Sequence, residues 1–322
     1  MRRRDVILFV GGAVAALPLA ARAQQSAKLK RIGFLRVRPP PSAWVGALRQ
    51  GLREHGLIEG QNIEIEFGLA ESVAELPSVA AELVRRNVDV LLASGSPTVL
   101  PARDAAGAIP VVFVAIFDFV ETGQVASLAR PGGNITGMSA MVVDLAGKRM
   151  QLLKELLPSM TRVAILVRTA SPATPPFVRE AERSAHSLGV ELQVLGMDNP
   201  SDLEMLLASA ASAGGLIGSD DSVFTGHRVR IAELALKRRL PTMFGFREMV
   251  EAGCLISYGA DYADLYRRAA NQVHKILNGT KPADIPVERP VRFEYILNMR
   301  TAVALGLSVP PIVLQQVDEV IE

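Results

Sequence analysis

Three loops of this chain combine small hydroxylated residues, glycine and carboxylates in a way suited to holding a small charged molecule. Ser94-Gly95-Ser96-Pro97-Thr98 follows the apolar run Val88–Ala93. Gly95 permits close backbone approach, Ser96 suits a helix N-cap, and Pro97 fits the first helical position. Free backbone N–H groups and the helix dipole would draw a carboxylate there; the plainer alternative is an ordinary strand-to-helix turn. Ser171-Pro172, after Val163–Val167, offers the same cap with Thr169 beside it. Ser219-Asp220-Asp221-Ser222 follows Gly214–Gly218, where Asp220 and Asp221 could accept an ammonium group or cap a helix. Phe117 and Asp118 come just after Val111–Val114. The aromatics Phe244, Phe246 and Tyr258 could wall an apolar side chain or sit in the core.

No catalytic constellation accompanies these loops. The first strand reads Ile32-Gly33-Phe34-Leu35-Arg36-Val37-Arg38, without the G-x-G-x-x-G of a dinucleotide site. Gly147-Lys148 resembles the end of a P-loop, but Val142 stands where the first glycine belongs and Arg149 replaces the Ser/Thr. No serine lies in G-x-S-x-G. The four histidines (His55, His186, His227, His274) lack metal-ligand spacing. The single cysteine, Cys254, lies in an apolar run and reads as buried and inert. Neither a cofactor nor a metal is expected, and the chain does not read as an enzyme.

The elements that must position the loops alternate between strand and helix. Ile32–Val37 reads as a buried strand; Trp44, Leu48, Leu52 and His55 follow at helical spacing, and Gly56 ends the helix. Ile63, Ile65 and Phe67 alternate with acidic residues, as a half-exposed strand does. Ser72 and Glu75 form a capping box ahead of Leu76, Ala80 and Leu83. Strands at Val88–Ala93 and Val111–Val114 flank a helix over Pro97–Ala106. The order then repeats: strand Val163–Val167, helix Pro176–Leu188, strand Val190–Leu195, a helix capped by Ser201 and Glu204, and strand Gly214–Gly218. Such repetition predicts an α/β fold of two similar lobes, each with a parallel sheet, joined by a hinge that the chain crosses several times. Lobe 1 is expected over 30–137 with about 260–288, and lobe 2 over 138–259 with part of about 289–322, hinged near Gly137 and Gly259. Ligands of such sheets bind at the carboxyl ends of the strands, here facing each other across a cleft.

The first 23 residues read as an address. Arg2-Arg3-Arg4 is a cationic start, Val6–Ala20 is uncharged and apolar, and Ala21-Arg22-Ala23 is the small-x-small pattern of a cleavage site. A Sec or twin-arginine signal peptide cleaved after Ala23 is expected, and the apolar run is too short for a spanning helix. No cysteine follows the leader for a lipoprotein-type anchor, which places a soluble mature protein in the periplasm. The leader holds four arginines and Asp5, so the chain's net charge of +2 becomes about −1 without it. That near-neutral balance gives no support for binding nucleic acid or a membrane surface.

Several segments resemble the tryptophan/tyrosine-type family of ABC-transporter substrate-binding proteins. They are the leader through Gln25, Gly51-Leu52-Arg53-Glu54 with Gly60-Gln61-Asn62, and Leu128 through Gly137. Further along come Phe246 through Gly253, Ser257-Tyr258-Gly259 and Ala304 through Pro311. The resemblance implies a periplasmic-binding fold of type I and delivery of a small solute to an ABC permease in the inner membrane. From the loops themselves, the solute's carboxylate is expected on the Ser94–Thr98 helix start and its other end near Asp220 and Tyr258. Arg36 or Arg38 could also pair with a carboxylate, which suits an organic or aromatic acid as well as an amino acid. A monomer suits a clamp that must open and close. A ligand sensor for a membrane receptor and an exported enzyme on the same scaffold are the alternatives.

Overall fold

The computed structural model describes residues 29–115, 125–140 and 142–322. Its first sheet is built from β1 (Lys30–Val37), β2 (Ile63–Ala70), β3 (Val90–Ser94), β4 (Val111–Ala115) and β5 (Ile135–Ser139), all parallel, in the order β2-β1-β3-β4-β5. Side chains decide that order. The described positions of β3, β4 and β5 are buried throughout, as befits strands covered on both faces. The edge strand β2 alternates, putting Glu64 and Glu66 outward and Ile63 and Ile65 inward. Helices α1 (Ser42–Glu54), α2 (Leu76–Arg85) and α3 (Ser96–Ala106) make the crossovers.

The second lobe begins with α4 (Val142–Leu156), β6 (Arg162–Arg168), α5 (Thr174–Ser187), β7 (Glu191–Met197) and α6 (Leu203–Ser209). It continues through β8 (Gly215–Gly218), α7 (Ser222–Gly226), α8 (Arg228–Lys237), β9 (Thr242–Phe244), α9 (Arg247–Glu251) and β10 (Ile256–Ala260). Helix α10 (Tyr262–Leu277) then returns to pack on α1 and across β3, β4 and β5 of the first sheet. The chain goes back to the second sheet with β11 (Phe293–Asn298), α11 (Met299–Leu305), α12 (Pro311–Gln316) and β12 (Glu319–Ile321). That sheet runs β12-β11-β10-β9-β8-β6-β7, parallel except where β11 lies antiparallel to β10. The molecule is therefore two α/β lobes with mostly parallel sheets, as expected.

The chain passes between the lobes after β5, after β10 and before β11. The first and last passages lie side by side: the Ser139 N–H donates to the Glu288 carbonyl at 2.9 Å and the Glu288 N–H to the Gly137 carbonyl at 3.0 Å. The buried Gln272 amide reaches the carbonyls of Gly137 and Pro286. Gly137 and Gly259 themselves lie within β5 and β10, so the connecting segments fall just beyond them.

Local chemistry differs from expectation at three strands and two caps. Strands β5, β11 and β12 were not anticipated from periodicity, although Phe293–Asn298 carries the aromatic and β-branched content of a strand. Helix α3 is capped by Gly95 at φ 96, which makes Ser96 its first residue and not its cap. Helix α5 starts at Thr174 behind Ala173, so Ser171 is not its cap either. Among the described residues no helix is long and apolar enough to cross a membrane, and no group of three His, Cys, Asp or Glu side chains could hold a metal ion.

Candidate functional site

The carboxyl end of β1 delivers Arg36 into the space between the lobes. A strand buried on both faces points this residue inward with no route to solvent, and only 2 % of it is exposed. One guanidinium nitrogen donates to Ser94 Oγ of lobe 1 at 3.0 Å and another to Thr225 Oγ1 of lobe 2, also at 3.0 Å. Its plane lies over the Trp44 ring, 4.9 Å from the centroid. The third nitrogen, Nε, is buried without a hydrogen-bond partner. No carboxylate hydrogen-bonds this cation among the described residues. Burial lowers its pKa from the ordinary guanidinium value, while Tyr266, Glu248 and Asp221 pull the other way, and arginine keeps its charge in proteins.

Aromatic rings close around it. Trp44 stacks on Tyr262 at 5.0 Å and Tyr266 at 5.3 Å, and meets Phe246 of the other lobe at 5.8 Å. The hydroxyl groups of Tyr266 and Ser94 share a 2.5 Å hydrogen bond. Trp44 Nε1, Tyr262 Oη and Ser222 Oγ are, like Arg36 Nε, buried polar atoms without a partner. Unpaired buried polar atoms are rare in folded proteins, so their concentration along one seam marks a place built for polar contacts. Tyr258 is half-buried and stacks on Phe293 at the rim.

The hydroxyl loop after β3 belongs to this seam, but its helix start is already occupied. The Gly95 N–H donates to the Val114 carbonyl, and both the Thr98 N–H and its hydroxyl close on the Gly95 carbonyl. The N–H groups of Gly95 and Thr98 are spent inside the turn, and Arg36 is the side-chain donor beside it. Gly95 still matters. A Cβ there would meet the Cβ and Oγ of Ser222, in the opposite lobe, at 2.9 Å, so the lobes touch through a bare backbone.

The two aspartates after β8 likewise have partners. Arg149, wholly buried on α4, grips Asp220 with two nitrogens at 2.8 and 2.7 Å and gives its Nε to the Tyr258 carbonyl. Burial raises the Asp220 carboxyl against the opposing pull of that guanidinium. The backbone of Gly245 lies flat on the pair; a Cβ there would fall 2.0 Å from Arg149 Nη2 and 2.1 Å from Asp220 Oδ1. Asp221 takes Arg168 at 2.8 Å and caps α7 through the Val223 N–H at 2.9 Å. Both carboxylates hold lobe 2 together and neither is open to an ammonium group.

Of the remaining candidates, Ser96, Thr98, Asp220, Asp221 and Phe246 are buried at or behind the seam. Thr169 is exposed at the end of β6, with its Oγ1 over Gly196, so it does not join them. Ser171 is buried in the turn after β6 and its N–H donates to the Arg168 carbonyl. Phe117 and Asp118 lie outside the described residues. Sequence reasoning missed Trp44, Glu248, Tyr262 and Tyr266 as cleft residues; Ser222 lies within a candidate loop without being singled out. Cys254 is buried and its thiol is pushed up to about 12 by desolvation, in line with an inert role. A surface depression of about 190 Å³ between Arg49, Ile58 and Ile63 lies on lobe 1, away from the seam.

Known proteins share this architecture. The model of the family described as ABC transporter substrate binding protein matches residues 39–321. A tyrosine-binding protein from Clostridioides difficile (strain R20291) is 27% identical over 289 residues, covering 88% of this chain and 83% of that one. A conserved domain protein from Vibrio cholerae superimposes with a TM-score of 0.85 at 24% identity, covering 91% of this chain and 100% of that one. An ABC domain from Streptococcus pneumonia, solved in complex with L-Trp, superimposes with a TM-score of 0.83 at 24% identity and the same coverage.

Proposed function

The chain belongs to the ABC transporter substrate-binding protein family, and on that premise we propose that it captures a small carboxylate-bearing solute between its lobes and delivers it to a membrane permease. The observation that carries this reading is Arg36: a permanent cation, buried, bonded to both lobes, and with no carboxylate hydrogen-bonded to it among the described residues. A solute carboxylate arriving at its Nε edge would complete the charge and tie the lobes together at the same atom. Ser222 Oγ and Trp44 Nε1 offer further polar contacts, and Phe246, Tyr262 and Tyr258 offer apolar walls. The rings suit an aromatic amino acid or an aromatic organic acid. Two similar proteins, a tyrosine-binding protein and a protein solved in complex with L-Trp, favour the same class.

The family acts outside the cytoplasm, so residues 1–23 serve as a cleaved export signal and the mature chain works in the periplasm as a monomeric clamp. Mass spectrometry of the exported protein should find a chain starting at Gln24; a protein retaining Met1 would refute the cleavage. The named functions of the family and its relatives are binding, so the chain acts by capture and release, not by catalysis.

Thermal unfolding of the exported protein against amino acids, aromatic acids and dicarboxylates tests the central reading. A true solute stabilises the native state by about 2.7 kcal/mol at a hundredfold excess over Kd, a rise of several degrees in the midpoint. Refolding from denaturant beforehand strips any solute carried through purification. A refolded protein that responds to no carboxylate, aromatic or aliphatic, would count against the assignment.

A further inference from the structure

The inference here rests on that reading of the cleft and concerns the opposite end of the solute. Charges along the seam close in pairs: Arg149 on Asp220, and Arg168 on Asp221. Of the other buried charged side chains among the described residues, Asp264 pairs with Arg267 and Arg268, which leaves Arg36 and Glu248 without an ion-pair partner. Glu248 is the second residue of α9, two positions after its N-cap Phe246, and only 6 % of it is exposed. It receives no hydrogen bond from an arginine or lysine. The Trp44 indole N–H lies beside its carboxyl, favouring the charged form without the geometry of a hydrogen bond. The groups that face it are Arg36 on β1, Glu251 on its own helix, and Tyr262 and Tyr266 on α10. A carboxyl thus sits within electrostatic reach of the lone guanidinium, on the other lobe and inside the same ring cluster.

We propose that Glu248 determines the charge class of the solute: ionised, it receives a cationic group, so that a zwitterion spans Arg36 and Glu248 and its capture drives one proton from Glu248 into solvent. Supporting this, desolvation lifts the Glu248 carboxyl to about 7, with Glu251 adding to the rise and Trp44 and Arg36 opposing it. Below that value the free cleft keeps a neutral Glu248 beside a cationic Arg36, which suits a simple carboxylate anion. Above it the two charges balance, which suits a zwitterion. Binding an ammonium group at the carboxyl must therefore release the proton, and affinity for such a solute must rise with pH up to about 7.

The test is calorimetric titration of the exported protein with L-tryptophan and L-tyrosine, and with their deaminated counterparts 3-(indol-3-yl)propionate and 3-(4-hydroxyphenyl)propionate. Heats at about pH 6 in two buffers of different ionisation enthalpy count protons. The expected result is release of close to one proton with an amino acid and an affinity that climbs roughly tenfold per pH unit below pH 7. The deaminated acids should release none. Glu248→Gln should flatten the pH slope and cut the preference for the amino acid by tenfold or more, while Glu248→Asp keeps both in part. Melting curves check that each variant is folded. Unchanged preference in a folded Glu248→Gln protein, or amino-acid binding without proton release, overturns the proposal and leaves the cleft intact. If neither kind of probe binds the refolded protein this proposal falls, and the reading of the cleft falls with it only when aliphatic carboxylates fail as well.

Discussion

Replacing Arg36 by methionine should weaken carboxylate binding by at least about a hundredfold while leaving the melting temperature unchanged or higher. Each charge-assisted hydrogen bond from guanidinium to carboxylate contributes roughly 1.5–3 kcal/mol, and two of them span the hundredfold and beyond. Stability should respond the other way, because a buried cation with no hydrogen-bonded carboxylate is a burden on the free protein, most of all below about pH 7 where Glu248 is neutral. Its two acceptors are not stranded by the change. Ser94 keeps its hydrogen bond with Tyr266, and the Thr225 hydroxyl keeps the Ser222 carbonyl. Methionine is long and unbranched enough to lie across the Trp44 ring in place of the guanidinium stem. Calorimetric titration and a thermal melt on one preparation check both halves. Binding retained within a fewfold would remove Arg36 from the site, and a large fall in melting temperature would make it a structural residue.

The second large effect belongs to lobe 2. Asp220→Asn should lower the melting temperature on the order of 10 °C, because it leaves the Arg149 guanidinium buried against a neutral amide. Removing one partner of a buried pair costs roughly 3–5 kcal/mol, and here the pair is bidentate and both side chains are wholly enclosed. The double replacement Arg149→Met with Asp220→Leu should recover most of that loss, since no charge then remains to be compensated. Had Asp220 been the ammonium acceptor, the asparagine variant would instead melt normally and lose binding. A melt and a titration of the single variant separate the two roles.

Much of the framework was legible in the chain because each lobe announces itself locally. The apolar runs at Ile32–Val37, Val88–Ala93 and Val163–Val167 are strands that must be covered on both faces, and they are. The alternation of Ile63, Ile65 and Phe67 with Glu64 and Glu66 marks a half-exposed strand, and that strand lies at the sheet edge. The loops carrying Ser94, Gly95, Asp220 and Asp221 do face the seam between lobes. What those residues do there was not legible, because their partners are distant in sequence. Arg149 lies 71 residues from Asp220, and Arg36 lies 189 from Thr225. A buried arginine in a continuous strand looks like a strand-end surface charge until the fold supplies an opposite lobe. Trp44, Tyr262 and Tyr266 lie on amphipathic helices, where their spacing is that of any core-facing stripe. Glu248 was hidden by its setting in Phe246 through Gly253, a segment informative only as part of a resemblance. Strand β5, with glycine at its centre and serine at its end, has little strand propensity; its pairing with β4 puts Gly137 against Phe113 and overrides that deficit.

Trp44 is the single tryptophan of the chain, and it stands with its ring under Arg36 and against Phe246 of the other lobe. The protein therefore carries one native fluorophore, and it sits at the place where solute and lobes meet. Its emission colour depends on the local field and its intensity on neighbouring quenchers, so a change of occupant or of lobe spacing is written directly into light from a known atom group. With a solute that carries no indole of its own, such as tyrosine, no dye or engineered cysteine is needed to attribute the signal, because the protein has no second indole.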